Sequence, residues 1–132
     1  MVQTATLPLM LKQLRLSSVA RHWQGMLATA ERNGWDSAQY LSALCEQELT
    51  ERDSRRIARY TKDSHLPTAK SLASFDFAAV PMLSKAHVMA LASGDAWLEK
   101  GATILIFGPP GVGKSHVGCG IGHALIDAGH RV

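Results

Sequence analysis

Apolar side chains recur at three- and four-residue steps through residues 9–32, a spacing that places them on one face of a single amphipathic helix. The members of this face are Leu16, Val19, Ala20, Trp23, Met26, Leu27 and Ala30. Asn33 and Gly34 tolerate left-handed backbone, so the helix is expected to end there. A second helix is predicted to begin after Asp36, because Asp36 and Gln39 have the spacing of a capping box.

The second helix is predicted to run to about residue 62 and to change character along one face. Its first half is apolar at Leu41, Leu44 and Cys45. Its second half carries an arginine stripe, which at about 100° per residue continues the same face. The stripe consists of Arg52, Arg55, Arg56 and Arg59. We expect the first half to pack in a core and the stripe to project beyond it, either as a solvated face or as a contact for DNA or a partner.

Beyond this helix the pattern weakens and then becomes that of an α/β unit. Residues 63–82 have two prolines and little periodicity, which indicates a connecting segment anchored by Phe75 and Phe77. Residues 83–93 predict a short helix. The continuous apolar run "TILIF", residues 103–107, predicts a strand buried on both faces, as in a parallel sheet.

The stretch "GPPGVGKS" follows the predicted strand and opens a helix predicted over residues 114–128, with Gly129 as its C-terminal cap. It fits the pattern G-x-x-x-x-G-K-[ST], and a preceding strand and a following helix are the context that this motif requires. The predicted nucleotide-binding residues are Gly108, Pro109, Pro110, Gly111, Val112, Gly113, Lys114 and Ser115.

Each part of this loop has a physical role. The glycines allow a tight curl and a close approach of the backbone to an anion. Backbone N–H groups at the start of the helix favour phosphate. Lys114 is expected to reach the β- and γ-phosphates and Ser115 to ligate Mg²⁺, while Pro109 and Val112 line the site.

Phosphate-loop ATPases also need a carboxylate that organises Mg²⁺ and water, and no acidic residue takes that position in this sequence. Asp127 lies about three helical turns from the loop, and Arg131 is remote as an arginine finger. The walls that would hold the base and ribose are also expected to be missing. The chain is therefore expected to be incomplete, to bind nucleotide weakly and not to hydrolyse it alone.

Composition and charge indicate the kind of partner and the cellular compartment, but they do not identify a function. The net charge is +3, and the excess of basic residues lies in residues 1–70, which hold ten Lys/Arg against seven Asp/Glu. This imbalance weakly indicates an anionic partner. No run approaches the roughly 18 apolar residues of a membrane span, and no export signal is evident. Two distant cysteines, Cys45 and Cys119, are expected to be free buried thiols of a cytoplasmic protein.

The stretch "ILIFGPPGVGKSHVGCGIGHALIDAGHRV" resembles the start of the ATPase module of IstB-like transposition helpers. These helpers are similar to DnaC-type helicase loaders and, more distantly, to DnaA-type AAA+ ATPases. The segments "LKQLRLSSVARHW", "YLSALCEQELTERDSRRIARY", "SFDF" and "ALASGDAWLEKG" resemble their helical leader, so the likeness covers almost the whole chain.

The resemblance implies an α/β fold of AAA+ type, with a helical N-terminal domain over residues 1–66 and a linker plus the beginning of the P-loop domain over residues 67–132. It implies ATP and Mg²⁺ as cofactors, assembly into an oligomer on DNA, and a transposase as partner. It places ATP on residues 108–115 and makes the arginine stripe a candidate surface for DNA or partner contact. The family's acidic magnesium motif, sensor residues and arginine finger are not found in this sequence.

Two other functions fit the same residues: a helicase-loader-like adaptor, and a non-catalytic remnant whose helical leader alone is competent. His116, Cys119 and His123 share one helix at a spacing that a metal site could use, but a packed or surface face is the expected role of that helix face.

Overall fold

A computed structural model describes residues 2–132, except for the side chain of Asp95, and within that range it contains six α-helices and no β-strand. The helices are α1 (Leu7–Gln13), α2 (Ser17–Asn33), α3 (Ser37–Ser64), α4 (Lys85–Ser93), α5 (Asp95–Glu99) and α6 (Lys114–Asp127), with a short 3₁₀ turn at Phe77–Ala79. No helix in the described range is both long and apolar enough to cross a bilayer. The chain forms two compact units, Met1–Arg55 and Arg56–Val132.

The first predicted helix is two helices, so the prediction of one continuous helix is wrong. The chain leaves α1 at Leu14 and turns through Arg15, which has a left-handed backbone with φ +58°. The Leu16 N–H donates to the Leu11 carbonyl at 2.9 Å, which closes the end of α1 as in a Schellman motif. The left-handed residue at the break is Arg15, although glycine is usual at such a position. The sequence therefore contains no glycine that would predict the break.

The start of α2 is held by α3 rather than by a residue of its own. Its N-cap residue, Leu16, has no side-chain cap, and the Glu48 carboxylate accepts the N–H groups of Ser18 and Val19 at 2.9 and 3.1 Å. Glu48 is only 4% exposed, and a carboxylate is rarely so buried unless it is paired, as it is here. A carboxylate at a helix N-terminus satisfies free amides and matches the helix dipole, so Glu48 orients α2 against α3.

The end of α2 and the start of α3 lie where the sequence predicts them. Gly34 ends α2 with φ +66°. The predicted capping box is confirmed, because the Gln39 N–H donates to Asp36 Oδ1 at 2.7 Å and the Asp36 N–H donates to Gln39 Oε1 at 2.9 Å. Tyr40 donates its hydroxyl to the Trp23 carbonyl at 2.8 Å, which ties the beginning of α3 to the middle of α2. Leu44 is buried as predicted, but Leu41 and Cys45 are exposed.

The second unit is built around α4 and α6. Its buried apolar core consists of Val88, Ala92, Val117, Ile121 and Leu125. The connecting segment packs Leu72, Phe75 and Phe77 against this core, which confirms the predicted anchoring role of the two phenylalanines. Glycines of α6 make room for it: a Cβ at Gly120 would lie 2.7 Å from Leu72 Cδ2. Gly129 follows α6 with φ +102°, as predicted for its cap.

The strand predicted over residues 103–107 is not confirmed. This segment has no regular secondary structure, and its burial on both faces was wrongly predicted, since Leu105 is 71% and Phe107 is 85% exposed. A strand is defined by ladder hydrogen bonds to a neighbour, and the described residues provide no second strand. The compact units divide inside α3, at Arg55 and Arg56, whereas the predicted domain boundary follows residue 66.

Candidate nucleotide-binding site

The loop of residues 108–113 leads directly into the first turn of α6. Gly111 and Gly113 have φ values of +83° and +98°, a left-handed backbone that side-chain-bearing residues rarely adopt. Gly108 is confined, because a Cβ there would lie 3.2 Å from Val112 Cγ2. Backbone geometry therefore favours glycine at Gly111 and Gly113, and the close contact with Val112 favours it at Gly108.

The loop ends at the N-terminus of a well-formed helix. Gly113 is the N-cap of α6, and its carbonyl accepts the first helical bond from the Val117 N–H at 3.0 Å. The Gly113 N-cap has no side chain to bond the free amides of the first turn, and no acidic residue lies in that turn. Free amides and the positive end of the helix dipole together favour an anion at this point.

Lys114 folds back over the loop. Its Nζ donates to the carbonyl oxygens of Gly108 and Pro109, the second at 3.1 Å. The ammonium group is thus held at the mouth of the loop. Its partners among the described residues are neutral oxygens, which phosphate oxygens could replace with stronger, charge-assisted bonds. Ser115, in the first turn of α6, is exposed.

A cavity of about 550 Å³ adjoins the loop. Its walls come from Phe75 and residues 79–83 of the connecting segment, from Ile106 and Phe107, and from the loop and the first turns of α6. Its lining is mostly apolar, and no carboxylate belongs to the described residues that line it. The walls for the base and ribose were predicted to be missing, but an apolar pocket lies beside the phosphate loop.

The rear of the loop is packed by the connecting segment. A Cβ at Gly113 would lie 2.7 Å from Phe75 Cε2, so the Phe75 ring occupies the space behind the N-cap of α6. The same ring makes edge contacts with Phe77 and His116, with centroid separations of 4.8 and 5.2 Å. The sequence predicts that Phe75 anchors the connecting segment, but it does not predict that the Phe75 ring packs against the loop.

The histidines of α6 bind backbone carbonyls of the connecting segment. His116 Nε2 lies 2.8 Å from the Ser71 carbonyl oxygen and 3.0 Å from Ser74 Oγ. His123 Nε2 lies 2.9 Å from the Pro67 carbonyl oxygen. A ring nitrogen facing a carbonyl must carry the proton and donate it. Both histidines therefore fasten the connecting segment to α6.

Two arginines of the stripe belong to the Met1–Arg55 unit and support its packing. Arg52 donates from Nε to Glu48 Oε1 at 3.0 Å and from Nη2 to the Arg15 carbonyl at 3.0 Å. Arg55 donates from Nη1 to Ser17 Oγ at 3.1 Å, with Nη2 3.7 Å from Glu48 Oε1. Both side chains remain about half exposed.

The other two arginines of the stripe belong to the Arg56–Val132 unit. Arg56 packs against the chain after α6, since a Cβ at Gly129 would lie 3.3 Å from Arg56 Nη2. Arg59 is exposed, and its guanidinium carbon lies 5.4 Å from the centroid of the Tyr60 ring. Arg59 thus combines an exposed cation with a cation–π contact to Tyr60.

Relatives of the chain come from insertion sequences. A protein of Sinorhizobium fredii whose name describes an insertion-sequence ATP-binding protein is 53% identical over 131 residues, covering 99% of this chain and 44% of that protein. The IS21 ATP-binding protein of Pseudomonas aeruginosa is 32% identical, with 96% and 47% covered. The IS5376 ATP-binding protein of Geobacillus stearothermophilus is 31% identical, with 90% and 47% covered. The chain thus spans about half the length of these relatives.

The sequence profile of the IstB-like ATP binding proteins matches residues 9–132, which includes most of the first compact unit, all of the second and the whole loop. The match extends far beyond the eight residues of the phosphate loop, a motif that many unrelated ATPases share. The chain therefore belongs to the family of IstB-like ATP-binding proteins.

Proposed function

We propose that this chain binds Mg²⁺–ATP between its phosphate loop and the first turn of α6, as the nucleotide-binding part of an insertion-sequence helper protein. The observation that carries the proposal is the backbone of the loop. Two left-handed glycines lead into a helix N-terminus without a side-chain cap, beside a lysine that bonds two carbonyl oxygens of the loop. This arrangement suits a polyphosphate, because each of its elements contributes positive charge or free N–H groups.

The parts of ATP would have distinct partners. The first-turn amides and Lys114 would bind the phosphates, and Ser115 Oγ would ligate Mg²⁺, which prefers oxygen ligands and retains several waters. The apolar cavity beside the loop would accept the base, with Phe75 and residues 79–83 as its walls.

We further propose that the chain binds ATP without hydrolysing it. Hydrolysis requires a carboxylate that orders Mg²⁺ and the attacking water. The described residues that line the cavity include none, and Asp127 lies at the far end of α6. Bound ATP would then act as a structural ligand that fixes the loop.

The biological role proposed for the chain is ATP-dependent assistance to DNA transposition in the cytoplasm, with target DNA and the transposase of the same element as partners and self-assembly on DNA. Family membership supports this role, and the names of three relatives describe them as ATP-binding proteins of insertion sequences. The basic excess of the N-terminal half provides a charge complementary to DNA.

Substitution of Ser115 tests how the metal is held. Ser115→Ala should lower affinity for ATP about tenfold in the presence of Mg²⁺ and have little effect in excess EDTA, because only the metal-dependent part of binding uses the hydroxyl. Ser115→Thr, which keeps the hydroxyl, is the matched control and should bind like wild type. Isothermal titration calorimetry with ATP provides the measurement. Equal losses with and without Mg²⁺ would contradict the assigned role of Ser115.

The DNA-contact proposal is tested most cleanly at Arg59, because Arg52 and Arg55 also support packing. Arg59→Ala should weaken binding to duplexes of any sequence to a similar extent and reduce the slope of log affinity against log salt by about one. The control is Arg21→Ala, which removes an equal charge from an exposed side chain paired with Glu51. Fluorescence anisotropy at several salt concentrations gives the slopes. Indistinguishable slopes for the Arg59 and Arg21 variants would exclude a phosphate contact at Arg59.

A further inference from the structure

The first turn of α6 is held from behind by two residues, Phe75 and His116, which we name the rear clamp. The Phe75 ring fills the space behind Gly113, where an added Cβ would lie only 2.7 Å away. His116 stacks edge-on against that ring at 5.2 Å and bonds the Ser71 carbonyl at 2.8 Å and Ser74 Oγ at 3.0 Å. Together they fix the connecting segment against the N-terminus of the helix.

Contacts with the connecting segment flank the proposed ligand groups within four consecutive residues. Gly113 and His116 contact the connecting segment, while Lys114 and Ser115 lie between them. The backbone amides of this turn are the groups proposed to bind phosphate. Any displacement of Phe75 or His116 therefore moves the helix N-terminus that must stay aligned with the anion.

We propose that Phe75 and His116 are positioning residues for nucleotide binding, which hold the loop ready for phosphate and couple its occupancy to the connecting segment 71–77. The inference rests on the proposed binding of ATP and deepens it. The coupling is reciprocal: if the clamp favours the nucleotide-binding conformation, bound nucleotide tightens the clamp by the same free energy. The segment 71–77 is thus the part of this unit that senses whether the loop is occupied.

The chain contains a matched control for a merely structural role. His123 also lies on α6 and makes the same kind of bond to the connecting segment, at 2.9 Å to the Pro67 carbonyl, but two helical turns farther from the loop. A general loss of packing between the segment and α6 would follow from removal of either histidine. A positioning role predicts an effect on the loop from His116 alone.

Nucleotide affinity provides the first measurement. His116→Ala should weaken binding of Mg²⁺–ATP about five- to tenfold, the effect of one lost hydrogen bond and its aromatic contact. His116→Gln, whose amide can still donate to the Ser71 carbonyl, should recover most of the loss. His123→Ala should bind like wild type. Phe75→Leu is assessed by amide exchange instead, because the Phe75 ring also lines the cavity proposed for the base. Equal affinities for the two histidine-to-alanine variants would overturn the inference.

Amide hydrogen exchange provides the second measurement and does not depend on ATP. In the chain without nucleotide, His116→Ala should raise exchange at least several-fold in residues 108–117, whereas His123→Ala should leave these amides unchanged. In wild type, ATP should slow exchange in residues 71–77. If wild type failed to bind ATP, the proposed function would fall, yet the exchange comparison would still decide the clamp. Unchanged loop exchange in His116→Ala would overturn it.

Discussion

Replacing Lys114 with alanine is expected to lower the affinity of the chain for Mg²⁺–ATP by roughly 100-fold. The Lys114 ammonium lies at the mouth of the loop and donates to the carbonyl oxygens of Gly108 and Pro109. Phosphate oxygens would replace these neutral partners with charge-assisted bonds, each worth roughly 1.5–3 kcal/mol. Loss of the ammonium removes these bonds, and a decrease of that size is easily measured by titration with a fluorescent ATP analogue.

The control for this substitution is Lys100→Ala, which removes an equal charge from an exposed position at the end of α5. It should bind ATP like wild type. The same samples test hydrolysis, since phosphate release by wild type should not exceed that of Lys114→Ala. Equal binding by the Lys114 and Lys100 variants would exclude the assigned role of Lys114, and robust release that depends on Lys114 would refute the proposal of binding without hydrolysis.

Replacing Glu48 with alanine is expected to lower the free energy of unfolding of the Met1–Arg55 unit by about 2–4 kcal/mol. The substitution leaves the N–H groups of Ser18 and Val19 without an acceptor, at the start of a helix that has no cap of its own. It also removes the acid that pairs with Arg52 and Arg55, although these half-exposed arginines can regain water. Urea denaturation followed by circular dichroism measures the loss, with the exposed Glu46→Ala as control.

The pH dependence of stability gives a second test at Glu48. Burial acts to raise the pKa of Glu48, but hydrogen bonds from the Val19 N–H, Arg52 and the Ser18 N–H outweigh it, so the pKa lies below its ordinary value of 4.5. A lowered pKa stabilises the fold above pH 4.5, and this contribution is lost as the pH falls through the folded-state pKa. Wild type should therefore lose more stability than Glu48→Gln on acidification. Parallel curves for the two proteins would contradict the capping role.

The helix boundaries show what the sequence could and could not predict. Local signals located the end of α2 at Gly34 and the start of α3 after the Asp36–Gln39 capping box, because glycine and capping side chains act within a few residues. The break between α1 and α2 has no such signal. It depends on Arg15, whose carbonyl binds Arg52, and on Glu48, which caps α2 from about 30 residues away. Hydrogen bonds between residues far apart in the chain produce no periodic pattern in the sequence.

The apolar run at residues 103–107 shows the limit of pattern recognition for strands. Its composition predicts burial on both faces, but a strand exists only through bonds to a neighbouring strand. The described residues offer none, and Phe107 instead contributes to a wall of the cavity beside the loop. The composition of this segment therefore indicates that it could form a strand, but not that a neighbouring strand is present to pair with it.

The candidate site was predictable where its chemistry is local. The motif predicts Lys114, Ser115 and the loop glycines as ligands, because phosphate binding needs these residue types at fixed spacing. The contributions of Phe75 and His116 were not predictable, since they depend on how residues 71–77 fold back across α6. The same holds for the arginine stripe, in which Arg52 and Arg55 prove to bond Glu48 and the start of α2.

The central claim is that the backbone amides at the head of α6 receive the phosphates of ATP. Heteronuclear NMR of the ¹⁵N-labelled chain titrated with Mg²⁺–ATP tests it most directly, since each amide reports its own environment. The largest shifts are expected on residues 111–116, and they should disappear in Lys114→Ala. Shifts concentrated elsewhere in the chain, or an unchanged spectrum at millimolar ATP, would contradict it.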